Sequence, residues 1–119
     1  MAVEWEGQLD PGERLDFVAD FALGDNPVLA DGETIASFSL AVTAAAAALG
    51  LTIEQEGEYA PALVNADTAI QLWLTVAPEM QNDEAFAAGV SLGVVATIQT
   101  NSVPPRTRER TYLAQVAQL

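Results

Sequence analysis

The chain has 119 residues, half of them hydrophobic, and sets 17 acidic side chains against four arginines for a formal charge of −13. It contains no histidine, cysteine or lysine, which removes the side chains most used for nucleophilic attack, neutral-pH proton transfer and transition-metal binding; neither an enzyme nor a metal or cofactor site is expected. The charge also opposes binding to nucleic acid or anionic lipid.

Residues 1–9 are expected as an extended N-terminal arm. Their opening, Met1-Ala2-Val3-Glu4-Trp5-Glu6, has neither the basic region nor the apolar run of a signal peptide. Period-two alternation, the mark of half-buried strands, begins at Arg14–Phe21. There Leu15, Phe17, Ala19 and Phe21 face one way, and Arg14, Asp16, Val18 and Asp20 the other. Gly24-Asp25-Asn26-Pro27 and Asp31-Gly32 then break regular pairing. Thr34–Val42 predicts a second strand, with Ala36, Phe38, Leu40 and Val42 opposite Ser37, Ser39 and Ala41. Thr43–Leu49 is alanine-rich enough for a helical turn, though marginal as a helix by itself. Leu51–Glu56 predicts a short strand.

Ala69–Val76 alternates most cleanly, with Ile70, Leu72, Leu74 and Val76 on one face and Gln71, Trp73 and Thr75 on the other. Pro78–Ala88 has room for one short helix. Val90–Thr100 places Val90, Leu92, Val94, Ala96 and Ile98 on one side. Arg106–Val116 closes the chain, and there Tyr112, Ala114 and Val116 share a parity with Arg106, Arg108 and Arg110. A strand that overruns the core would pack its apolar half and project its arginines. The fold these segments predict is all-β: a single domain over residues 1–119, an antiparallel β-sandwich of six to seven strands. No cysteine is available for disulfides, so the core must hold by packing, which suits folding in a reducing cytoplasm. Nowhere is there an apolar run of ~18 residues, so no membrane span is expected.

Charge is unevenly placed. Up to Pro105, Arg14 alone stands against sixteen acids; beyond it come three arginines and Glu109. Arg106, Arg108 and Arg110 therefore form a basic edge suited to an acidic surface, such as a neighbouring copy, or else a solubilising edge. Trp73, on the less apolar face of its strand, either covers a core rim or anchors an interface. Asp25, Asn26, Asp31 and Glu33 offer oxygens to a cation but match no EF-hand spacing, and such residues are common in turns. Glu54, Glu56 and Glu58 read as a solvated edge.

Four segments carry a family resemblance: Asp10-Pro11-Gly12-Glu13-Arg14-Leu15-Asp16-Phe17, then Leu29-Ala30-Asp31-Gly32-Glu33-Thr34-Ile35-Ala36-Ser37, then Ala69-Ile70-Gln71-Leu72-Trp73-Leu74 after Leu49–Ile53, and lastly Arg106-Thr107-Arg108-Glu109-Arg110-Thr111-Tyr112 running to Val116. In this order they resemble the small immunoglobulin-like virion proteins of tailed phages described as fiber-tail adaptors. Two departures stand out. Ala77–Gly89 replaces a Gly-Gly turn, implying an insertion, and Pro104-Pro105 stands where a glycine is usual, implying a stiffer approach to the last strand. The resemblance implies a non-enzymatic structural component of the virion, made in the host cytoplasm. It would link tail fibers to the tail or neck, contact other phage structural proteins and sit in a symmetric ring of copies. The alternatives are a capsid decoration (cement) protein and a carbohydrate- or protein-binding surface module.

Overall fold

The computed structural model describes residues 2–22 and 28–118. They form two stacked β-sheets with few helices. The strands are β1 (Ala2–Leu9), β2 (Leu15–Asp20), β3 (Ile35–Val42), β4 (Leu51–Ile53), β5 (Ala62–Val64), β6 (Ala69–Val76), β7 (Val90–Thr100) and β8 (Thr107–Val116). One sheet has the order β1-β8-β7-β3; the other has β2-β6-β4, with β5 also paired to β6. The six longer and shorter segments read from alternation are all strands. In β6 the burial follows the pattern residue by residue: Ile70, Leu72, Leu74 and Val76 are buried while Gln71, Trp73 and Thr75 are half-buried on the outer face. On β7, Leu92, Val94, Ala96 and Ile98 point inward, and they meet Phe17, Ala19 and Phe21 in one core between the sheets.

Residues 2–9 are not an arm. Ala2–Leu9 is the outermost strand of the first sheet and runs parallel to β8, with Ala2 opposite Thr111 and Leu9 opposite Val116. The described residues thus hold eight strands, and one pairing is parallel where an all-antiparallel fold was expected. Trp5 secures this strand. Its ring lies 5.2 Å from Tyr112 at a 16° tilt and 4.8 Å from Phe17, so it contacts both sheets. Its indole N–H donates to the Val18 carbonyl at 2.8 Å.

Smaller corrections have local causes. A register shift between Ile35 and Ser37 buries Ile35 and leaves Ala36 exposed. The strand expected over 51–56 is Leu51–Ile53, with one further backbone bond from the Glu54 amide to the Trp73 carbonyl at 2.9 Å before a 3-10 turn at Gly57–Tyr59. Ala44–Ala48 does form a helix, α1, because the Thr43 hydroxyl caps it by accepting from the Ala46 amide. Gly93 makes room for that cap, since a Cβ there would stand 2.6 Å from Thr43 Cγ2. The 78–88 segment holds a 3-10 turn at Pro78–Met80 and a single-turn helix, α2 (Ala85–Ala88), which sinks Phe86 fully into the core.

Candidate functional site

The basic edge is built by the parity of β8. Alternation carries Val116, Ala114 and Tyr112 into the core, and the same face then runs past the core's end as Arg110, Arg108 and Arg106. There the arginines meet the chain segment leading into β3. Arg108 Nη1 donates to the Val28 carbonyl at 3.2 Å. Arg106 Nη1 lies 3.8 Å from Glu33 Oε1, with 58% of the Arg106 side chain still exposed. Arg110 acts on Tyr112, opposing the burial that pushes the Tyr112 phenol above its usual range. The Tyr112 hydroxyl donates across to the Asp20 carbonyl at 3.1 Å, so β8 grips the second sheet as well.

Glu33, expected as a solvated turn acid, is buried. Its Oε1 accepts the Ala30 amide at 2.9 Å, while the Glu33 amide donates to the Ala30 carbonyl at 3.0 Å. The Ala30 amide is the largest influence holding its carboxyl below the usual carboxylate range; the Thr100 hydroxyl follows, burial opposes, and Arg106 and Ser102 add smaller pulls. Oε2 is out of solvent and lacks a well-aligned hydrogen bond among the described residues, so the hydroxyls act less directly than the amide. The sequence holds a signal for this turn. Asp10-Pro11-Gly12-Glu13 closes in the same way, with Glu13 Oε1 accepting the Asp10 amide at 2.9 Å. In both, a Gly-Glu pair shortly before a strand lets the glutamate reach back three residues, as in a capping box.

Asn101 completes the junction. Its side-chain oxygen accepts the Thr34 amide at 2.9 Å and its own amide donates to the Thr34 carbonyl at 3.0 Å. Around it lies an open depression of about 320 Å³ lined by Ala30, Asp31, Gly32, Glu33, Asn101, Ser102 and Arg106. Asp25 and Asn26 lie outside the described residues. Among the described residues no group of three acidic side chains is placed to hold a metal.

Trp73 belongs to a different surface. It stands on the outer face of the second sheet, edge-on to Tyr59 at 5.1 Å, and the Arg14 guanidinium lies 4.1 Å above the Tyr59 ring. Glu54, Glu56 and Glu58 border the same patch. Its neighbours on that face are tied by Gln71 to Asp16 at 2.9 Å and Thr75 to Glu54 at 3.3 Å. Trp73 and the three arginines are therefore on separate sheets. The aromatic with the larger structural role is Trp5, which sequence reasoning passed over. Its signal was the alternation Val3, Trp5 against Glu4, Glu6.

A comparison of the chain with protein-family models and with curated proteins returned no match.

Proposed function

We propose that the chain is an immunoglobulin-like domain serving as a non-enzymatic structural component of a tailed-phage particle, an adaptor between tail fibers and the tail or neck. The observation that carries this reading is topological. With β1 and the three-residue β5 set aside, β2-β6-β4 faces β8-β7-β3, which corresponds in chain order to the B-E-D and G-F-C sheets of an immunoglobulin domain. The segments that resemble the adaptor family lie on this framework, and two of them meet. Glu33 of the Asp-Gly-Glu segment faces Arg106 of the closing Arg-Thr-Arg segment across 73 residues of sequence.

In this reading Arg106 has two roles. It braces the turn before β3, and its exposed part reaches an acidic surface on an adjoining copy or another virion protein. Exposed ion pairs contribute about 0–1 kcal/mol each, so the contact acts through several together. The test is a side-chain-resolution reconstruction of a phage particle encoding this chain. Copies at the tail or neck, in number matching the local rotational symmetry, support the adaptor. Many copies spread over the head would make it a decoration protein, and its absence from the particle would refute both.

A further inference from the structure

Among the described residues four strand edges are open in the two sheets, and three of them carry the features that block stray pairing. β1 presents exposed Glu4 and Glu6 along its length. β2 contains Asp16 and Asp20, and its Val18 carbonyl is taken by Trp5. β4 and β5 are three residues each, and β4 runs directly into Glu54 and Glu56. β3 is the exception. It is eight residues long, Ile-Ala-Ser-Phe-Ser-Leu-Ala-Val, with no charge, proline or glycine, in a molecule carrying −13. Its only strand partner among the described residues is β7.

The ladder shows which groups are open. Thr43 N–H donates to the Gly93 carbonyl at 3.0 Å, and the register pairs Ala41 with Val95, Ser39 with Thr97 and Ser37 with Gln99. In an antiparallel pair the bonded residues alternate, so Ser37, Ser39 and Ala41 bond to β7. The backbone groups of Phe38, Leu40 and Val42 point away from the sheet. One end of this edge is closed, because the Ile35 amide donates to the Asp67 carbonyl at 2.8 Å. The other end passes into the Thr43 cap of α1. The open stretch is residues 36–42, and its core-side residues Phe38, Leu40 and Val42 are only half covered.

We infer that this edge pairs with the β3 edge of a second copy, antiparallel about a two-fold axis at Ser39, joining two four-stranded sheets into one. Three observations select a second copy as the occupant. The stretch reads nearly alike in both directions about Ser39: Phe38 falls opposite Leu40 of the other copy and Ser37 opposite Ala41. With Ser39 at the centre, the outward-pointing groups of Phe38 and Leu40 meet as a hydrogen-bonded pair, which is the phase that antiparallel pairing requires. Lastly, like charges set opposite one another destabilise a strand pair, so edge-to-edge strand pairing between two copies of so acidic a chain is favoured along an uncharged strand. The same axis brings the two β4 strands with Glu54 and Glu56 toward each other. Their repulsion is screened by salt, so the dimer strengthens as salt rises, opposite to an acid–arginine contact.

Sedimentation of the full chain over a range of concentration and salt tests this, with Ser39→Lys and Ser39→Glu as variants. Ser39 is exposed and faces outward, and thermal melting of each variant checks that it folds. A dimer that strengthens with salt is expected for the wild type. Each variant alone should lose it, because residue 39 opposes itself, and an equimolar mixture of the two should regain it as a mixed dimer. A wild type that stays monomeric up to about 1 M salt, even if its edge takes up a strand from a different protein, overturns the inference. So does a Ser39→Lys protein that dimerises like the wild type. The particle test above does not bear on this outcome, nor this one on it.

Discussion

Truncating Trp5 tests whether the first strand is integral to the fold. Trp5→Ala removes ring contacts with Phe17 at 4.8 Å and Tyr112 at 5.2 Å, together with the 2.8 Å hydrogen bond to Val18. Aromatic pairs contribute ~0.5–1.5 kcal/mol each beyond their area, and a hydrogen bond contributes a net ~0.5–1.5 kcal/mol. The Val18 carbonyl is at the surface, so water takes over its acceptor and no large penalty for an orphaned group arises. Trp5 is half-buried, so the loss falls short of the full cost of emptying a core site, ~3–5 kcal/mol for a large aromatic. Together these give a destabilisation of about 2–4 kcal/mol, measured by urea denaturation with the slope checked for constancy. Trp5→Phe keeps most of the ring contact and loses the N–H, so it should fall about 1 kcal/mol below wild type. A Trp5→Ala change under about 0.5 kcal/mol, within the ordinary range for surface substitutions, would mean that residues 2–9 are an arm after all.

Two further expectations follow from the core and from the Glu33 turn. Leu72→Ala or Leu74→Ala, each fully buried at the centre of β6, should cost ~2–5 kcal/mol by denaturant unfolding; less than about half a kcal/mol would mean that the face is wrongly assigned. Glu33 has a folded-state carboxyl below its unfolded value, so its contribution is present above the usual carboxylate range and fades as pH falls through the lowered value. Glu33→Gln should therefore be less stable than wild type at neutral pH, with the gap closing on acidification, as thermal melts from pH 7 downward would show. A gap independent of pH would mean that the charge plays no part.

Much of the fold was legible because one face of each longer strand is buried and the other is not. β6 and β7 announce themselves by that contrast, and Ala69–Val76 and Val90–Thr100 are read to the residue. β1 was hidden for the same reason in reverse. At a sheet edge its alternation, Val3 and Trp5 against Glu4 and Glu6, is short and its Val3 is exposed, and its pairing partner lies at the far end of the sequence. β5 is only three residues long, too short for a period to show. The arginine edge was legible from parity alone, but its partners were not. Nothing local in the sequence tells that Glu33 and the Val28 carbonyl fold back beneath Arg106 and Arg108. Trp73 was visible as a tryptophan on a polar face, yet its edge-on contact with Tyr59 depends on a 3-10 turn that no alternation marks.

The parallel union of β1 with β8 also sets an order of events. Their paired residues are more than a hundred positions apart, so β1 has no sheet to join until β8 has been synthesised and has docked on β7. Contacts of such long range close slowly, since the intervening chain must first be confined. The β2–β6 and β7–β8 pairings do not include it. The segment that leaves the ribosome before all of these strands is thus expected to be the last to find its place, with the Trp5 ring uncovered until then. The two tryptophans make that sequence observable: Trp73 reports on the assembly of the second sheet, and Trp5 on the moment the fold is completed.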